Sequence, residues 1–199
     1  MLRRAVFALV VGVLAVALAL APSALAALIH VRVEGKTTTI FGPTEPQAVS
    51  ATALDALEAA SRAGEFYYDV KSTSFGPYVD QIGRFPGAGS TGWVFKVNGA
   101  SPPVGADQVQ LKDGDTVLWY YADFSSGSGP KTLELKAAKR GCYSVLAYDD
   151  AGKATPAAGA VLVNGGRTFQ TKEGSACPPP HRGLVRATLA GAVRSNALP

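Results

Sequence analysis

Histidine, cysteine and methionine are scarce in this chain of 199 residues, which holds two, two and one of them. His30 and His181 stand far apart, and no third cysteine accompanies Cys142 and Cys177. No spacing of a zinc site or of a nucleophile–base pair results, so the chain is expected not to be an enzyme and to carry no cofactor. Beyond residue 26 no apolar run reaches the length that spans a bilayer, which excludes a membrane span in the mature protein. Basic residues are not interleaved with aromatic ones, so a nucleic-acid partner is also excluded.

The first thing present is a leader. Met1-Leu2-Arg3-Arg4 precedes an apolar run over residues 5–21, then Pro22 and an Ala24-Leu25-Ala26 site, the order of a secretory signal peptide over residues 1–26. Retention as a membrane anchor is the alternative, because the run approaches the ~18 residues of a spanning helix. The protein is expected to be secreted or associated with the cell envelope. In that setting Cys142 and Cys177 are expected to form one disulfide.

Charge is divided unevenly. Residues 27–124 carry seven basic and eleven acidic side chains, and residues 125–199 carry ten and four. Residues 125–130, Ser-Ser-Gly-Ser-Gly-Pro, read as a flexible linker between the two parts. In the first part, Ile29, Val31 and Val33 alternate with His30, Arg32 and Glu34 as in a half-buried strand. A turn at Gly35-Lys36 leads to a second strand ending at Phe41. Thr52-Ala53-Leu54-Asp55 has the form of a capping box opening a helix that ends near Gly64, with Leu54 and Leu57 facing the sheet. Residues 92–99 and 111–121 close the part with two aromatic strands punctuated by Asn98-Gly99 and Asp113-Gly114. One helix on a mixed sheet is the β-grasp arrangement, an α+β class. Residues 131–199 show only short strands and turns, as in a small Ig-like or prealbumin-like all-β sandwich.

Residues 27–124 resemble the transcobalamin-like C-terminal domain family. The features that carry the resemblance are Thr38-Thr39-Ile40-Phe41, Ala53-Leu54-Asp55-Ala56-Leu57, Gly92-Trp93 through Val97-Asn98-Gly99, Gly105-Ala106, Leu111-Lys112-Asp113-Gly114-Asp115 and Trp119-Tyr120. The resemblance implies a β-grasp module that engages a corrinoid or another planar small molecule, alone or with a partner chain. In the vertebrate carriers a large helical barrel completes the corrinoid site, and no such barrel is legible in this sequence. Residues 155–161 and 171–174 are similar to carboxypeptidase-regulatory-like sandwiches, which implies a spacer or adhesion module.

Ring-bearing residues are the candidate ligand contacts. Trp93, Phe95 and Val97 share one strand face, and Trp119 and Tyr121 share a face of the neighbouring strand. Tyr78 and Trp93 are the foremost candidates, joined by Phe75, Trp119 and Tyr120; either indole could instead be core, whereas Tyr67, Tyr68, Phe75, Tyr78 and Tyr120 are expected to keep an exposed edge. Gly87 to Gly92 satisfies G-x-G-x-x-G, but a strand follows it instead of a helix, so a mobile loop beside Trp93 is expected. Asp113-Gly114-Asp115 and Asp149-Asp150 are read as turns, since no oxygen-ligand loop for calcium surrounds them. Lys131, Lys136, Lys139 and Arg140 form a basic patch that suits a cell-wall polymer, and an extracellular protein is the other macromolecular partner considered.

Overall fold

The computed structural model describes residues 25–74 and 76–199. Most of the expected leader, residues 1–24, and the candidate Phe75 lie outside the described residues.

The first half of the chain forms β1 (Ala27–Glu34), β2 (Thr39–Phe41), β3 (Gln47–Ser50), α1 (Ala53–Gly64), β4 (Tyr68–Thr73), β5 (Gly76–Ile82), β6 (Phe85–Pro86), β7 (Thr91–Val97) and β8 (Thr116–Asp123). The main sheet runs β2-β1-β8-β7, and β3 pairs with β1 on the same side as β2. β1 and β8 are parallel and the remaining pairs antiparallel. A parallel pair needs a long crossover, which α1 and the small antiparallel sheet β4-β5-β6 supply.

Thr52 and Asp55 start α1 as the sequence anticipates. The Thr52 hydroxyl accepts from the Asp55 N–H at 3.1 Å, and the Asp55 carboxylate accepts from the Thr52 N–H at 3.0 Å. The helix buries Ala53, Ala56, Leu57 and Ala60 against Ile29, Val31, Val33, Val117 and Trp119 of the sheet. Small alanines let the helix axis come close to the sheet, and the β-branched residues opposite supply the bulk. The segment before α1 contains β3, which the sequence pattern did not assign and whose four residues extend the edge along β1.

The second half forms β9 (Lys131–Ala137), β10 (Tyr143–Tyr148), β11 (Ala154–Pro156), β12 (Val161–Asn164), β13 (Arg167–Gln170), β14 (Ser175–Ala176), β15 (Val185–Thr188), β16 (Ala192–Val193) and β17 (Ala197–Leu198). Two sheets result: β11-β10-β9-β16, with β14 on β10, and β13-β12-β15-β17. Leu133, Leu135, Tyr143, Val145 and Ala147 of the first share one apolar cluster with Leu162, Val185 and Ala187 of the second. Alternating inward residues explain it, since each strand places every second side chain on one face. The expected disulfide is present: Cys142 and Cys177 are bonded at 2.04 Å, tying the entry of β10 to the residue after β14. The whole is α+β, mostly strand with one α-helix among the described residues.

One sequence expectation fails at β1. Arg32 and Glu34 alternate with the core residues and were expected at a solvated face, yet both are buried. The second half covers that face. Glu34 accepts from Arg32 Nη1 at 3.1 Å, from Arg194 Nη2 at 2.9 Å and from Arg186. Arg32 also pairs with Glu45 at 3.0 Å and donates to the Arg194 carbonyl at 2.6 Å. Lys96 is fully buried, and its ammonium donates to the carbonyls of Tyr148 at 3.2 Å and Asp149 at 2.8 Å, with the Asp150 carboxylate at 3.4 Å. Burial lowers the Lys96 pKa, opposed by the Asp150 charge. Leu118, Tyr120 and Ala122 form a third apolar cluster on this face, with Val94 and Val193 beside them. Residues 125–128, inside the expected linker, run exposed past this joint.

Two phenols give the fold an alkaline limit. Tyr68 donates to Glu58 and Tyr148 donates to Glu134 at 2.5 Å. Burial first, and the adjacent carboxylate second, push each phenol up to about 12. Unfolded phenols ionise near 10, so the folded chain holds protons that the unfolded chain releases. Their contribution is therefore fully present below about pH 10 and is lost as pH rises towards about 12. Urea unfolding across that window should show falling stability, with a flatter profile in the Tyr68→Phe/Tyr148→Phe double variant; equal slopes would refute the assignment.

Candidate functional site

The β7–β8 ladder places the aromatic residues. Trp93 lies opposite Tyr121 and Phe95 opposite Trp119. On the helix-facing side, Trp93 meets Tyr121 edge-on at 5.6 Å, and Phe95 tilts over Trp119 at 5.0 Å. Both indoles are anchored at the nitrogen: Trp93 donates to the Phe85 carbonyl at 2.7 Å and Trp119 to the Ala53 carbonyl at 3.0 Å. Satisfied N–H groups permit the burial, and each indole is only 2% exposed. Tyr121 is held by Thr91 at 2.7 Å and by the Pro86 carbonyl at 3.1 Å.

Tyr120 corrects an expectation. It was expected to keep an exposed edge, but it is 1% exposed. The next residue along a strand points to the opposite face, and here that face carries the joint with the second half. Burial raises the Tyr120 pKa, with the Asp150 carboxylate adding to it and a hydrogen bond to Ser101 opposing it. The Lys96 ammonium stands 5.9 Å from its ring centroid.

Tyr78 behaves as expected and remains 42% exposed, as does Tyr67 at 63%. From β5 the Tyr78 side chain reaches across the β7 edge, so that a Cβ on Gly92 would lie 2.6 Å from its hydroxyl. Glycine at position 92 is what admits the ring. Burial and the Asp80 carboxylate raise the Tyr78 pKa, so the phenol is neutral at physiological pH.

These residues surround one open groove along β7. A cavity of about 380 Å³ is lined by Tyr78, Trp93, Phe95, Trp119 and Tyr120, together with Pro77, Pro102, Ala106, Phe124 and Asp150. A second compartment of about 280 Å³ continues it past Gly92 to Gly89 and Ser90, with Tyr78, Trp93, Val94 and Phe124 common to both. Tyr78 borders both. Four of the five nominated residues thus line one groove, and the fifth, Phe75, is outside the described residues. Sequence reasoning missed Pro102 and Phe124, from the segments after β7 and β8, and Asp150, from the distant turn after β10. A phenylalanine placed directly before the Ser/Gly linker was the one available signal.

Other motifs resolve into structure. The Gly87–Gly92 segment is a turn in which Ala88 and Thr91 exchange backbone hydrogen bonds at 3.0 Å. Asp113 accepts from the Leu28 N–H at 2.7 Å, and Asp115 accepts from the Lys112 N–H and the Asn98 amide, both at 2.8 Å. Asp149 accepts from the Lys153 N–H at 2.9 Å. His30 contacts the Glu45 carbonyl at 2.8 Å and His181 contacts the Tyr143 hydroxyl at 3.1 Å, in separate halves of the chain. Among the described residues no group of three or more His, Cys, Asp or Glu could hold a metal ion. Nor is any helix among them long and apolar enough to cross a membrane. Lys131, Lys136, Lys139 and Arg140 are all exposed.

Comparison with known proteins places residues 50–123 under a family model described as a domain of unknown function, DUF4430. That range runs from the end of β3 to the end of β8 and contains most of the groove. No curated protein matches the chain. Among solved structures, the chain is similar to a "putative metal binding protein" from Ruminococcus gnavus ATCC 29149, at 17% identity and a TM-score of 0.37, over 49% of this chain and 97% of the other.

Proposed function

We propose that this chain is a non-enzymatic, exported binding protein of the transcobalamin C-terminal-like, β-grasp kind, whose ligand lies in the β7 groove. The observation that carries the reading is one open, mainly apolar trough whose exposed rings are Tyr78 and Phe124, with the buried Trp93, Trp119 and Tyr120 also in its lining. Such a trough, with few polar groups at fixed places, is how small-molecule sites are built. The order β2-β1-β8-β7 with a parallel central pair and one covering helix supports the β-grasp assignment. The Cys142–Cys177 bond supports export, since structural disulfides persist in oxidising compartments. The ligand class is a flat, apolar small molecule. About 380 Å³ is near the lower bound for ligand sites, so a corrinoid would be covered only along one side, leaving the remainder to a partner chain.

Titration with anilinonaphthalene sulfonate, a flat apolar dye, tests the groove, and cobinamide tests the corrinoid. Saturable dye fluorescence with matching quenching of tryptophan emission is expected, weakened about tenfold in Tyr78→Ala through loss of the ring contact. Absence of saturable binding by the dye would overturn the groove reading. Binding of the dye without cobinamide would remove the corrinoid and leave the groove.

A further inference from the structure

The groove runs along a sheet edge whose hydrogen-bonding groups are open. β7 ends the main sheet, and Thr91 exchanges both backbone hydrogen bonds with Ala88 while Val97 does so with Ala100. Backbone direction alternates along a strand, so Trp93 and Phe95, like Thr91 and Val97, turn their N–H and C=O away from β8. Between the two closed ends, no backbone partner for Trp93 or Phe95 is present among the described residues. Unpaired edges invite strand addition, and chains usually blunt them with lysine, proline or a cover. Here Pro77, Tyr78, Ser101, Pro102 and Ala106 line the same cavity as Trp93 and Phe95, so the open edge borders the trough.

We infer that the β7 edge takes a short extended polypeptide segment of a partner protein by strand addition, main chain to the Trp93 and Phe95 backbone and apolar side chains into the two compartments flanking Tyr78. The inference rests on the groove being the binding site and gives it a second occupant besides the flat molecule. A flat ligand alone would leave two N–H and two C=O groups without partners, whereas a strand satisfies them in the spacing that β7 sets. The two compartments, of about 380 and 280 Å³, lie along the same strand, as pockets for alternate side chains must. Charge selects the sequence further. Asp150 is the one charged residue lining the trough, and its half-exposed carboxylate keeps a free side beyond its contact with Lys96 at 3.4 Å, so a basic side chain near the Asp150 end is accommodated.

The experiment selects peptides of about seven residues, the length of β7, from a displayed random library against the intact protein, eluting with anilinonaphthalene sulfonate. The selected peptide is then made with N-methyl groups on alternate residues, in the odd and in the even set. Strand addition predicts that one set loses affinity by at least about tenfold, the worth of lost backbone hydrogen bonds, while the other set changes little. It also predicts slower amide exchange at Trp93 and Phe95 in the complex, with Gly92 and Val94 unchanged because they already pair with β8. Equal losses for the two sets, or no dye-eluted peptide at all, overturn strand addition. Dye binding without peptide binding overturns this inference alone, and loss of both overturns the groove.

Discussion

Glu34→Gln is expected to lower the unfolding free energy by about 3–5 kcal/mol, the cost of removing one partner from a buried ionic cluster. The Glu34 side chain has no solvent exposure and faces Arg32, Arg186 and Arg194. A glutamine keeps the shape and one acceptor but withdraws the only carboxylate that all three guanidinium groups share. The remaining acid, Glu45, touches Arg32 alone. Arg186 donates also to Thr39 and to the Ser195 carbonyl, and Arg194 to the Gly35 carbonyl, so the cations stay in place and bear the loss. Urea unfolding measures the effect, with Lys136→Gln as the comparison: its half-exposed pair with Glu134 should change stability by less than about 1 kcal/mol. Arg186→Gln should cost less on the Glu34→Gln background than on the native one, because the two share one interaction. A Glu34→Gln loss as small as that of Lys136→Gln would mean that the cluster contributes nothing beyond a surface pair.

Removing the Cys142–Cys177 bond is the second large effect. The cysteines are 35 residues apart, and opening a loop of that length should cost about 4 kcal/mol in the chain-entropy account. The loop contains β10 to β14, so the loss falls on the strands that carry the second apolar cluster. A small sandwich has little core to spare. Unfolding of the Cys142→Ser/Cys177→Ser variant, followed with and without reductant beside the native chain, measures it. The expected result is a native midpoint that falls on reduction to that of the variant, whose own midpoint does not move. An unchanged native midpoint would show that the constraint is already present in the unfolded chain.

The sequence disclosed local structure where local chemistry decides it. Thr52 and Asp55 specify a reciprocal cap regardless of what lies above the helix, and the alternation of Ile29, Val31 and Val33 marks a face that must be buried. Cys142 and Cys177, the only cysteines, left a single pairing once export was assumed. The groove was half legible. Ring-bearing residues at alternate positions identified Trp93 and Trp119, but their neighbours Phe124 and Asp150 arrive from the residue after β8 and from a turn after β10, and the second of these contacts is encoded by no spacing.

What the sequence determined alone is therefore the set of elements: strands, one capped helix, a disulfide and the aromatic pattern of β7 and β8. Tertiary structure decided the second face of the main sheet. Period-two patterning states that Arg32, Glu34, Lys96 and Tyr120 point away from the helix, and it is silent on whether water or protein meets them there. The second half of the chain meets them, which turns expected surface charges into a buried cluster and Tyr120 into core. By ending the sheet at β7 the same packing also leaves two backbone positions open bordering an aromatic trough, a consequence of strand order that exists only once the strands have assembled.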